Sequence, residues 1–268
     1  MSGRFRSPQA VSWRAVALPA EHGSWSFWLE PVLLGLLAAP SWAGGWLALA
    51  SFAAFLSRQP LKLAWGDRRR GRRYRRSRLA ERFALMDIGI ALAALGGALW
   101  TAQEAALLIP LLLVVPLAIV QIVFDVRHDS RQPLAEAAGP VTLSAAAASI
   151  AIAGGWPLIP ALALSGIGIC RAVPTVFYVR ARLRLEKGQP IDPVLSTLLH
   201  VLAVALVAIL VGLHLAPLLS ILAMLILLAR ALYGLSRFRR PALPKHIGIQ
   251  EIIFGLLTVA LTAAGFSA

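Results

Sequence analysis

The sequence predicts an all-α fold, a polytopic membrane helical bundle of about nine transmembrane helices with the N-terminus inside and the C-terminus outside. Three observations predict it. The first is composition: 268 residues are 59% hydrophobic and 14% charged, with a mean hydropathy of +0.75. A soluble domain is nearer half apolar and a quarter charged. The second is the recurrence of apolar runs long enough to cross a hydrocarbon core of about 30 Å. The third is the placement of the basic residues. The net charge is +14, yet the Lys and Arg side chains sit in alternate joins between apolar runs. That distribution points to topology, not to nucleic acid.

In order along the chain, the runs cover 22–40, 44–62, 83–100, 104–123, 134–154, 158–179, 193–212, 215–233 and 247–266. The first contains Glu30 and Pro31, and the fourth contains Pro110 and Pro116, so these two carry the weakest span signal. The joins at 41–43, 101–103, 155–157 and 213–214 are short and hold no Lys or Arg. Those at 63–82, 124–133, 180–192 and 234–246 are longer and basic. All 26 Lys and Arg residues fall in the N-terminal tail, in the basic joins or in the segments leading into them. Positive residues stay in the cytoplasm, which sets the orientation. Trp42, Trp46, Trp100 and Trp156 then mark the outer interface, and Trp13, Trp25 and Trp65 the inner one. The chain is expected to form one transmembrane domain over 1–268, with a cytoplasmic tail at 1–18 and a basic cytoplasmic loop at 63–82. Glu30 interrupts the only candidate for a signal peptide.

Polar residues inside the apolar runs are the candidate functional residues, because an ionised group is expensive in a bilayer and usually faces a bundle interior or a water-filled path. Glu21 and His22 open the first run and Glu30 lies about two turns in. Arg58 and Gln59 lie near the inner end of the second. Asp87, Gln121, Glu136, Arg171, His200 and Glu251 all fall in the inner halves of their runs. His22, Ser26 and Glu30 recur every four residues on one helix face. The pattern predicts a polar cavity open to the cytoplasmic side, lined by His22 and Glu30, with Arg58 or Arg171 as the partner of Glu30. Pairing among these groups for packing alone is the plainer alternative.

The run "KLAWGDRRRGRRYRRSRLAER", Lys62 to Arg82, reads as an anchor on anionic lipid headgroups. The alternative is that part of it caps the cavity and grips a phosphate or carboxylate, with Asp67 among the candidate binding residues. In "YVRARLRLEKGQP", Arg180 and Arg184 share a face while Arg182 points elsewhere. Arginine forks suit planar oxyanions. The single cysteine, Cys170, excludes an internal disulfide and a multi-cysteine metal site. No histidine spacing suggests zinc, and no cofactor is expected.

The segments "LPAEHGSWSFWLEPVLLGLL", "SRQPLKLAWGDRRRGRRY", "RAVPTVFYVRARLRLEKG" and "PKHIGIQEIIFGLL" together resemble the YwiC-like family of bacterial integral membrane proteins. That resemblance implies a bacterial cytoplasmic membrane location and no assigned activity. A more distant resemblance is to the UbiA-type intramembrane prenyltransferases. It implies nine helices, an inward N-terminus and a site near the cytoplasmic face. "FDVRHDSRQPLAEAAG" is similar to a UbiA segment, and on that alignment Arg127 and Ser130 are the matching positions. The Asp-rich magnesium motifs of that family are not matched. Arg58 stands where an acid is expected, and "YVRARLRLE" is basic. Hard cations need oxygen ligands, so no divalent metal site is expected at those helix ends, and the chain is not thereby marked as an enzyme.

Two functions follow as expectations. One is binding or modifying an amphipathic anionic ligand, phosphate- or carboxylate-bearing, through Glu21, His22, Glu30, Arg58, Asp67, Arg127, Arg171, Arg180 and Glu251. The other is transport of a small anion or proton-coupled solute, or an accessory role in it, with Glu30, Arg58 and Arg171 in the path. Membrane lipids are the expected partners at the basic loops, and nucleic acid is not.

Overall fold

A computed structural model describes residues 12–19, 22–71, 74–126 and 132–267. Every element in it is helical: α1 (Trp13–Ala17), α2 (His22–Ala38), α3 (Trp42–Arg69), α4 (Arg75–Ala102), a short 3-10 turn (Ala105–Leu107), α5 (Leu108–Leu113), α6 (Val115–Val126), α7 (Pro133–Ala153), α8 (Leu158–Glu186), α9 (Val194–Gly212), α10 (Leu218–Leu235) and α11 (Pro244–Ser267).

Among the described residues, six helices are long and apolar enough to cross a membrane: α4, α7, α8, α9, α10 and α11. Taking α5 and α6 as one span makes seven. This is fewer than the nine runs of the sequence. The apolar part of α2, Ser24–Ala38, is shorter than a full span. Helix α3 has the length, 28 residues, but Ser57, Arg58, Gln59 and Lys62 dilute its inner half. The fourth run is bent by 41° between Leu113 and Val115. Pro116 accounts for the break, since proline has no N–H to bond the carbonyl four residues back, at Leu112, and its ring crowds that carbonyl.

The basic segments are helical too, which corrects the loop expected at 63–82. Helix α3 continues to Arg69 and α4 starts at Arg75, leaving a short join. Likewise α8 continues to Glu186. Arginine, leucine and alanine are strong helix formers, so positive charge ends the apolar stretch without ending the helix. Within the expected tail, Trp13–Ala17 forms α1, and Gln59 Nε2 donates to the Ala15 carbonyl at 3.4 Å.

Helix α7 occupies the centre and packs against α2, α3, α6 and α8. Small residues allow the close approach: Ala145, Ala146, Ala147, Ala148 and Ala151 are buried. A Cβ on Gly35 of α2 would lie 2.9 Å from the Ile150 Cβ. The Ser165 hydroxyl of α8 inserts into the α7 ladder, accepting from Ala148 N at 3.0 Å and donating to the Ser144 carbonyl at 2.6 Å. Two ends of the bundle are thereby defined. Gly154 meets Ala39 and Gly265 meets Pro217 at one end, where Trp156 packs on Phe266. At the other, the extension of α8 meets the end of α10: Arg182 donates to the Gly234 and Arg240 carbonyls, and Glu186 lies 3.5 Å from Arg239.

Candidate functional site

Four charged side chains from four helices meet inside the bundle. Arg171 of α8 is 3% exposed and Glu30 of α2 is 6% exposed, a burial that demands partners. Arg171 Nη2 donates to Glu30 Oε1 at 3.2 Å and to the Glu251 carbonyl at 2.9 Å. Arg171 Nη1 lies 3.8 Å from Glu251 Oε2 and donates to the Thr175 hydroxyl. Arg230 of α10 donates to Glu251 Oε2 of α11. The two arginines and two glutamates form a quartet of zero net formal charge.

Aromatic and neutral groups close the quartet. Arg230 stacks over the Tyr178 ring at 4.1 Å and faces Phe254 at 5.4 Å, placements that favour a desolvated cation. Its Nη2 lies 3.3 Å from His200 Nε2, and His200 Nδ1 lies 2.7 Å from the Ser196 carbonyl. An arginine donates only. Nε2 therefore accepts, Nδ1 carries the proton, and His200 is neutral. Two glycines make room. A Cβ at Gly255 would collide with Glu30 Oε1, and one at Gly234 with the Tyr178 hydroxyl.

Beside the quartet lies a cavity of about 510 Å³, bounded by α2, α3, α6, α7, α8 and α11. One face of α8 supplies a stripe along it: Arg171, Thr175, Val179, Leu183 and Lys187, with Val176, Arg180 and Arg184 beside them. The spacing of about four residues is the helical repeat. Phe27, Pro140 and Leu143 complete an apolar waist between Arg171 and the cations nearer the end of α8. Arg180 pairs with Glu136 at 3.0 Å. With its carboxamide oxygen turned to Arg58, Gln121 accepts from both Nη atoms at 3.2 and 3.3 Å. Among the described residues, no carboxylate lies within ion-pairing distance of Arg184 or Lys187, and both are exposed. A second, small void of about 20 Å³ lies on the far side of Arg171, between α2, α7, α8 and α11, and Glu30 lines it.

The structure thus brings Arg58, Arg171, Arg180 and Glu251 to the cavity. Glu30 stands behind Arg171 and lines the small void, which corrects its expected place on the wall of the main cavity. Its partner is Arg171, not Arg58. Asp67 is a second correction, because it does not line the cavity. Arg76 donates to its two oxygens at 2.7 and 3.0 Å, and the Ser77 hydroxyl donates at 2.7 Å. The carboxylate is consumed in the α3–α4 join, where the Arg76 hydrogen bonds hold its carboxyl below the usual range. Arg182 is buried and donates to the Gly234 and Arg240 carbonyls, away from Arg180 and Arg184. Glu21 and Arg127 lie outside the described residues, as does Ser130, and so does the side chain of His22. The sequence reading passed over Arg230, Thr175 and Tyr178. Arg230 carried a usable signal, an arginine inside "LILLARALYG"; Thr175 and Tyr178 carried none.

The model of the YwiC-like protein family matches residues 18–151. The chain belongs to the YwiC-like family. In this YwiC-like chain the matched stretch holds Glu30, Arg58, Gln121 and Glu136, while Arg171, Arg230 and Glu251 lie beyond it. No curated protein matches the chain, and no solved structure does.

Proposed function

We propose that this multi-pass YwiC-like membrane protein binds an amphipathic anion in the 510 Å³ cavity, an oxyanion bonded to arginine and an apolar body packed on the waist. The α8 stripe carries the reading: guanidinium groups flank an apolar wall formed by Val176, Val179, Leu183, Phe27 and Leu143. Arginine is the side chain that matches carboxylate and phosphate with paired donors. Pockets of this volume accommodate small ligands, with a few polar groups fixing orientation. The proposed setting is a bacterial cytoplasmic membrane, with the arginine-rich end of the bundle in the cytoplasm against anionic lipids. Nine crossings in a UbiA-like arrangement belong to the same proposal, with α2 and α3 spanning in the shelter of their neighbours.

The test is native mass spectrometry of the protein released from its own membrane. An anionic amphiphile should be retained, and Leu183→Glu, which sets a carboxylate in the waist, should reduce its occupancy severalfold. Retention of neutral lipids alone would count against the proposal. A second reading, movement of a small anion across the membrane, draws on Arg171 standing between the two cavities. Uptake of a small anion by proteoliposomes, without retained amphiphile, would put that reading first.

A further inference from the structure

We infer that the oxyanion of the cavity's ligand seats at Arg171 and Thr175, at the end of the cavity away from Arg184 and Lys187, and that it arrives together with one proton, taken by Glu251. The inference rests on the anion-binding reading above and adds the seat and the stoichiometry. Arg184 and Lys187 are exposed, so water and salt screen them, and contacts there are weak. They serve to draw an anion toward the opening. Arg171 is different. It is 3% exposed, it lines the cavity, and among the described residues nothing accepts a hydrogen bond from its Nε. A charge-assisted bond to a buried guanidinium is far stronger than one at the surface. Thr175 lines the cavity beside it, and its hydroxyl accepts from Arg171.

The proton follows from the charge count. Arg171 and Arg230 balance Glu30 and Glu251, so the quartet is neutral as it stands. Seated at Arg171, an added anion leaves the quartet itself with one buried negative charge, which the interior opposes strongly. One proton restores neutrality. Glu251 is the quartet carboxylate that lines the main cavity; Glu30 stands behind Arg171. Against Glu251 stand Arg171 of α8 and Arg230 of α10; Glu30 of α2 and Thr175 of α8 lie against Arg171, His200 of α9 and Tyr178 of α8 against Arg230, and Arg58, Gln121, Glu136 and Arg180 line the same cavity. His200 is a poor taker, since both its nitrogens are engaged and a proton on Nε2 would face Arg230. Once protonated, Glu251 stops competing for Arg171 and its hydroxyl can donate to the ligand.

The test uses the whole protein in nanodiscs, with n-decanesulfonate as the probe because its headgroup does not titrate. Calorimetry in imidazole, bis-tris and Tris, corrected with protein-free nanodiscs, counts protons directly. One proton taken up per probe bound is expected, with affinity falling about tenfold per unit rise in pH. Glu251→Gln should bind with little pH dependence and no proton uptake. Wild-type binding with no proton uptake would overturn the inference and leave the anion-binding reading standing. An unchanged proton count in Glu251→Gln would also overturn it. Methanesulfonate binding as tightly as decanesulfonate, with one proton, would keep the inference and remove the requirement for an amphiphile. Absence of saturable binding by either probe would overturn both.

Discussion

Glu30 costs the fold a desolvated carboxylate, and that cost is met by one guanidinium and one missing side chain. Arg171 supplies the opposite charge at 3.2 Å. Gly255 supplies the space. Breaking one partner of a buried pair leaves the other uncompensated, at about 3–5 kcal/mol. Glu30→Ala should therefore lower the unfolding temperature in detergent markedly, while Glu30→Ala with Arg171→Ala should cost less than the sum of the two. Additive losses would show that the pair does not couple. Gly255→Ala is an independent probe of the same spot. Its Cβ must push the Glu30 carboxylate aside, and overpacking of this kind costs about 1–3 kcal/mol. The same change made in Glu30→Ala should cost much less, and equal losses in both backgrounds would mean that the space serves something else. Glu30 was legible in the sequence because a charge inside an apolar run stands out. The choice between Arg58 and Arg171 was not, because both lie at similar depth and only helix rotation separates them. Arg230 was as visible as Arg171. Its role depends on Tyr178 and His200, which reach it from two other helices.

At the scale of elements, long helical extensions organise the arginine-rich end. Helix α8 has 29 residues, or about 43 Å at 1.5 Å per residue, well beyond the hydrocarbon core. Its extension carries Arg182, which bonds carbonyls at the end of α10 and beyond, and Glu186, 2.9 Å from Arg182 and 3.5 Å from Arg239. Sequence reading placed the boundaries of the apolar stretches and took them for helix boundaries; the two differ wherever arginine follows, since arginine ends the apolarity and keeps the helix. The α3–α4 join shows the same effect, and Asp67 fastens it to Arg76 and Ser77. The folded carboxyl of Asp67 lies below its usual value of about 3.9, so its contribution is present above that value and is lost as pH falls through the lower, folded one. Hydrogen exchange of amides 66–78, corrected for intrinsic rates, should quicken as pH drops below about 4. Asp67→Asn should already exchange faster at neutral pH and gain little more on acidification. Identical pH profiles in the two proteins would remove Asp67 as the fastening group.

For the whole molecule, the open question is how many times the chain crosses the bilayer. Among the described residues, length and apolarity alone support six or seven spans. The charge pattern supports nine, because α2 and α3 must also cross for every arginine-rich join to share a side. Contacts favour the larger number. Gly154, which caps α7, lies against Ala39 at the end of α2, so α2 reaches the end of the bundle opposite the contact of the α8 extension with α10. Helix α2 can be short because α7 and α11 cover it, and α3 can carry polar residues because Arg58 faces the cavity instead of lipid. Composition could not reveal that shelter, since it depends on which helices become neighbours. Cysteine scanning decides the matter, with the buried Cys170 as a quiet background once changed to Ala. Single cysteines at Arg70, Gln189 and Phe238 mark the arginine-rich end, and those at Glu104 and Leu213 the other; all five positions are exposed. In intact cells a membrane-impermeant maleimide should label positions 104 and 213 and spare 70, 189 and 238, following the rule that positive residues stay in the cytoplasm. A cysteine added after Ala268 should label with the first group. Labelling at 70 together with protection at 189 would place the α3–α4 join on the other side, so that α3 and α4 no longer cross in the proposed sense and the cavity loses the wall that holds Arg58.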